Sequence, residues 1–215
     1  MDEKIIQAQY DITKKTKLKY FYEKNKILIF SLIGVFIISF CSFFIYLSMK
    51  EKERLSASNS FVDARIYIQE GKKERAKNIL KEIIYSEHSS YSALSLFVIL
   101  NQKLITDENE LSNLFDYILE NHKFDKEITN LLIYKKALIQ SNFVDESQLI
   151  DTLKPMINSE SLWKPHALLL LADYFYSKNE VIKAKDFYSQ VISSKNVQKD
   201  LFDHANSQLI IISNE

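Results

Sequence analysis

The sequence predicts an all-α protein: one N-terminal transmembrane helix, then a solenoid of about four helical hairpins closed by a capping helix. Three observations carry this. The 215 residues include only two Gly and two Pro, where average usage of about 7% and about 5% would supply roughly 15 and 11. No charged side chain occurs from Ile27 to Met49. Beyond residue 55, apolar residues recur at i, i+3, i+4, i+7 and i+8, the period of helices that bury one face.

The same composition excludes several functions. A dinucleotide fingerprint needs three glycines within six positions and a P-loop needs two, but Gly34 and Gly71 are far apart. A G-x-S-x-G nucleophile elbow fails for the same reason, and no Asn-Gly or Asp-Gly pair is present to turn a β-hairpin. Equal numbers of basic and acidic residues, 28 of each, argue against nucleic-acid binding, which draws on a basic excess. The single cysteine, Cys41, permits neither an intrachain disulfide nor a cysteine-based zinc site.

Residues 1–26 form a basic tail and 27–49 the span. A helix of that length covers about 34 Å, enough for a hydrocarbon core of about 30 Å. A cleaved signal peptide has a shorter apolar region and small residues at its end; here the run leads into Lys50-Glu51-Lys52-Glu53-Arg54. Lys14, Lys15, Lys17, Lys19, Lys24 and Lys26 precede the span, against Lys50, Lys52 and Arg54 after it. That bias places the N-terminus in the cytoplasm and residues 50–215 outside it. Gly34 has Phe30 and Ile38 four residues away, so it supports no GxxxG dimer face.

In the first hairpin, Ala64, Tyr67 and Ile68 share one face, Gln69-Glu70-Gly71 turns the chain, and Ala76, Leu80, Ile83 and Ile84 face inward from the second helix. Two further hairpins are expected at 89–104 with 107–121 and at 126–141 with 145–158. The last pairs 164–178, carrying Leu168, Leu171, Ala172, Phe175 and Tyr176, with 181–192, carrying Val181, Ala184, Tyr188, Val191 and Ile192. A final helix, 198–213, presents Leu201, Ala205, Leu209 and Ile212. The first and last hairpins align without gaps at an offset of 108 residues: Ala64 with Ala172, Tyr67 with Phe175, Gly71 with Asn179, Ala76 with Ala184, Leu80 with Tyr188. Gly71 and Asn179 tolerate the left-handed conformation that ends a helix.

No catalytic, cofactor-binding or metal-binding residue stands out. His88, His122, His166 and His204 lack the close spacing of helical metal ligands. Asp107-Glu108 and Asp145-Glu146 suit helix N-termini. Lys72–Lys77 is a mixed-charge solvated face, Pro155 ends or kinks a helix, Pro165 opens one, and Trp163 packs between repeats.

Small–x2–aromatic–x3–Gly/Asn–x4–Ala–x3–large resembles the core of the tetratricopeptide repeat, whose period is 34 residues. In that family the first helix of each pair lines a concave surface that holds peptides or partner helices. Carried onto the two matching hairpins, the resemblance implies a partner-binding face at Ser58, Phe61, Arg65, Ile68 and Gln69, and at His166, Leu169, Asp173, Tyr176 and Ser177.

The whole layout, with Tyr20-Phe21-Tyr22-Glu23-Lys24-Asn25-Lys26 entering the span and Tyr91-Ser92-Ala93-Leu94 opening the second hairpin, also resembles the YfgM-type ancillary subunits of the bacterial SecYEG translocon. That resemblance implies an inner-membrane protein with a periplasmic domain at 50–215. Its partners would be SecYEG, the chaperone PpiD and unfolded exported chains, with no enzymatic activity, cofactor or small-molecule substrate. A tetratricopeptide scaffold for cell-envelope assembly or division needs the same groove and is the alternative.

Overall fold

Long helices with short connections follow directly from a chain that seldom supplies a helix breaker. The structure, a computed structural model, describes residues 2–86, 88–195 and 197–214, with the backbone alone given for 2–18. The side chains of Lys14, Lys15 and Lys17 therefore lie outside the described residues. Every regular element among the described residues is α-helical. The chain divides into two compact units, Met1–Arg54 and Leu55–Glu215.

Helix α1 is Asp2–Gln69. Its apolar stretch is long and apolar enough to cross a membrane, and none of its most apolar window is buried within the protein. Large apolar side chains from Ile27 to Met49 point outward, the reverse of a soluble helix, which hides such a stripe against a core. Phe36, Phe40 and Phe44 form a ladder of rings with centroids 6.3 and 4.8 Å apart. Past the apolar stretch, Arg54 places two guanidinium nitrogens on the Glu51 carboxylate at 3.0 and 2.7 Å. Such i, i+3 pairs favour helix where apolar packing is absent.

The second unit alternates helices and turns: α2 (Lys73–Ile84), α3 (Ser89–Asn101), α4 (Glu108–Asn121), α5 (Lys126–Gln140), α6 (Glu146–Ile157), α7 (Lys164–Ser177), α8 (Val181–Ile192) and α9 (Lys199–Asn214). Contacts of α3 with α4, α5 with α6 and α7 with α8 fit three of the expected hairpins, and α9 packs on α7 and α8. Ala64 at the end of α1 shares a buried cluster with Ala76, Leu80 and Ile84 of α2, as the first hairpin requires.

Three of the four hairpin turns share one device. Gly71, Lys103 and Asn179 have φ of 75°, 49° and 59°. In each turn the next residue donates its N–H five residues back: Lys72 to Tyr67 O at 2.8 Å, Leu104 to Ile99 O at 3.0 Å, Glu180 to Phe175 O at 2.9 Å. The left-handed residue donates three back, to Ile68, Leu100 and Tyr176. These are Schellman closures, which satisfy the last helical carbonyls. The sequence shows the first and last of them; Lys103 is unexpected, because lysine pays for its Cβ in this conformation.

Two helices start at a capping aspartate. Asp107 accepts from the N–H groups of Asn109 and Glu110 at 2.8 and 3.1 Å, and Asp145 accepts from Gln148 N–H at 2.9 Å. Both fill donors that a helix N-terminus leaves open. Pro165 sits in the first turn of α7. Pro155 lies inside α6, which runs two residues further, to Ile157. The missing N–H there costs only one bond close to an end that is already turning.

The small positions of the aligned hairpins, Ala64, Ala76, Ala172 and Ala184, are completely buried, as are Leu80, Phe175 and Tyr188. Alanine at these points leaves room for paired helices to pack closely. The buried apolar residues of the second unit fall into two clusters. One runs from Ala64 to Leu132, the other from Ala137 to Ile212.

Candidate functional site

The first group of expected binding residues lies on the last turns of α1. Ser58, Phe61 and Ile68 are half-buried, and Arg65 and Gln69 are exposed. Phe61 and Ile68 pack on the first core cluster, and the Phe61 ring lies 5.8 Å from that of Tyr91 on α3. Two of the five positions thus owe their place to packing between neighbouring hairpins.

The second group lies on α7. Leu169 and Tyr176 are half-buried against the second cluster. Ser177 is exposed and donates its hydroxyl to Tyr174 O at 2.7 Å. His166 is half-buried, with its ring 5.0 Å from Trp163 and 5.6 Å from Tyr134 of α5. Trp163 in turn lies 5.6 Å from Tyr134, so this tryptophan does bridge two hairpins. Asp173 accepts a 2.6 Å hydrogen bond from the Tyr188 hydroxyl, and His204 Nε2 of α9 lies 3.0 Å from the same carboxylate oxygen.

Together these make a strip along the first helices of the last two hairpins and α9: Tyr134, Trp163, His166, Asp173 and His204. Its electrostatics follow from burial. Desolvation lowers the His166 pKa below its ordinary value, opposed in part by the Asp200 charge. Burial thus favours the neutral imidazole. Burial raises the Tyr134 phenol, with the Asp173 charge adding to the effect. Burial also raises Tyr188, reinforced by its bond to Asp173, so the hydroxyl stays a donor. The strip offers aromatic faces, one carboxylate and exposed edges, a surface suited to side chains of a partner.

Tyr134, Trp163 and His204 are not among the expected binding residues, Trp163 being expected only to pack between repeats. Each joins through tertiary contact with a neighbouring helix, for which the spacing of histidines along the chain gives no signal. Among the described residues, no three His, Cys, Asp or Glu side chains are grouped so as to hold a metal ion. The two groups of expected residues lie in different core clusters, at the first and last hairpins. Comparison with protein-family models, curated proteins and solved structures gives no match to the chain.

Proposed function

We propose that the chain is a non-enzymatic, membrane-anchored protein-interaction module. It would be an ancillary translocon subunit that helps hand exported polypeptides to periplasmic chaperones. In this reading the N-terminus is cytoplasmic, the hairpin array is in the periplasm of a bacterium, and SecYEG and PpiD are the neighbours. The observation that carries it is the pairing of one outward-facing apolar helix with an array of hairpins whose first helices bear half-buried aromatic and polar side chains. Anchoring makes a weak binder effective, because it holds the binder at a high local concentration where its ligand emerges.

Affinity purification of the full chain from native membranes, followed by mass spectrometry, tests the proposal. Translocon subunits and periplasmic chaperones are expected in the eluate. Their absence, with envelope-assembly or division proteins in their place, would reject this reading in favour of the scaffold.

A further inference from the structure

We infer that the hairpin array consists of two separately cooperative halves articulated at α5, with Gln140 as the polar bridge between them. The two apolar clusters both end on this helix. Leu132 and Ile139 belong to the first, while Ile133, Tyr134 and Ala137 belong to the second.

Besides α5, which contributes apolar residues to both clusters, the side-chain links across this place are polar, and Gln140 and Asn130 among them are buried. Gln140 is 8% exposed. Its amide donates to Ser112 Oγ on α4 at 3.3 Å, and its carbonyl oxygen accepts from Thr152 Oγ1 on α6 at 2.9 Å. Asn130, 5% exposed, donates to Ser161 Oγ at 2.8 Å. Lys136 pairs with Asp116 of α4 at 2.5 Å. Within each half the second helices of adjacent hairpins are tied directly by an ion pair, Lys81 to Glu110 at 2.7 Å and Lys183 to Glu146 at 2.8 Å. Across the boundary, α4 and α6 meet through the Gln140 amide.

The turn at this place also differs. No residue between α5 and α6 is left-handed. Instead the N–H groups of Phe143 and Val144 both donate to the backbone carbonyl of Gln140, at 3.0 and 2.9 Å. One residue thus holds the turn with its main chain and the seam with its side chain.

The consequence is energetic. Shared apolar burial couples neighbouring helices into one cooperative unit. A buried polar bridge contributes little net free energy, since water replaces its bonds when the seam opens. Opening at α5 therefore costs less than opening inside either cluster, and each half unfolds without the other. Bending there would change the angle between the first two hairpins and the strip, which lies wholly with the second cluster.

Native-state hydrogen exchange by mass spectrometry, on the full chain in detergent micelles, tests this. In Leu171→Ala, amides of α7–α9 should lose protection by at least about 25-fold. Those of α2–α4 should stay within about 2-fold. Leu96→Ala should give the reverse. Should Leu171→Ala fail to fold, Val191→Ala makes the same comparison. Equal loss of protection in both halves, from either variant, would overturn the articulation.

Discussion

The first and last hairpins use one arrangement of residues in two different settings. In the last, Phe175 is completely buried and stacks on Phe187 with ring centroids 5.5 Å apart. The aligned Tyr67 is half-buried, and the Arg75 guanidinium covers its ring at 4.3 Å. The last hairpin is covered by the third hairpin on one side and by α9 on the other. A cation covers both rings, since Lys183, aligned with Arg75, lies 4.9 Å from the centroid of Phe175; what differs is Phe187, which stands where the first hairpin has Ile79. The alanine positions behave differently, since all four are completely buried in both hairpins. Contacts within a hairpin are local, whereas contacts at its flank depend on position in the array, as nearest-neighbour coupling in repeat proteins requires.

Removing the aromatic breaks the comparison most. Phe175→Ala should cost about 3–5 kcal/mol, and Tyr67→Ala only about 1–2 kcal/mol. Urea midpoints followed by circular dichroism measure both. Overpacking should restore the symmetry: Ala76→Leu and Ala184→Leu should each cost about 1–3 kcal/mol, because neither site has room. A large difference between them, read from the same midpoints, would show that one hairpin is looser than its buried alanines indicate.

The turns give smaller effects. Gly71→Ala adds a Cβ that meets no atom within 4 Å but must adopt φ of 75°, so it should cost about 1 kcal/mol. Lys103→Gly removes the same penalty and should stabilise by up to about 1 kcal/mol. Thermal melts of the pair should move in opposite directions.

The smallest effect is one of pH. The folded-state pKa of His166 lies below its unfolded value because burial penalises the charged form. In the window between the two values the unfolded chain binds the extra proton, so stability falls as pH drops through it. His166→Phe should flatten the stability profile below the ordinary histidine range, where the unfolded chain alone takes up the proton. An unchanged slope would show that His166 is not its source.

Much of the fold is legible in the sequence because the local rules agree with one another. The Ala64–Leu80 and Ala172–Tyr188 patterns state face, spacing and turn together, and Asp107 and Asp145 mark helix starts. Lys103 is not legible, because lysine has no preference for the left-handed turn that its neighbours impose. The seam is hidden too: Gln140 reads as the polar end of a helix, and only the approach of α4 and α6 makes it a buried bridge. The strip is half legible. His166 and Asp173 follow from the repeat register, whereas Tyr134 and His204 arrive from other helices through packing that no local pattern encodes.

Photocrosslinking in cells tests the proposal that the first-helix face binds exported chains beside the translocon. A photoreactive residue would be placed singly at Arg65, Gln69 and Ser177, with Ile182 of α8, 88% exposed, as the control. Adducts with translocon subunits and newly exported polypeptides are expected from the first three positions, and few from Ile182. Adducts that lack those partners, or that form equally at all four positions, would contradict it.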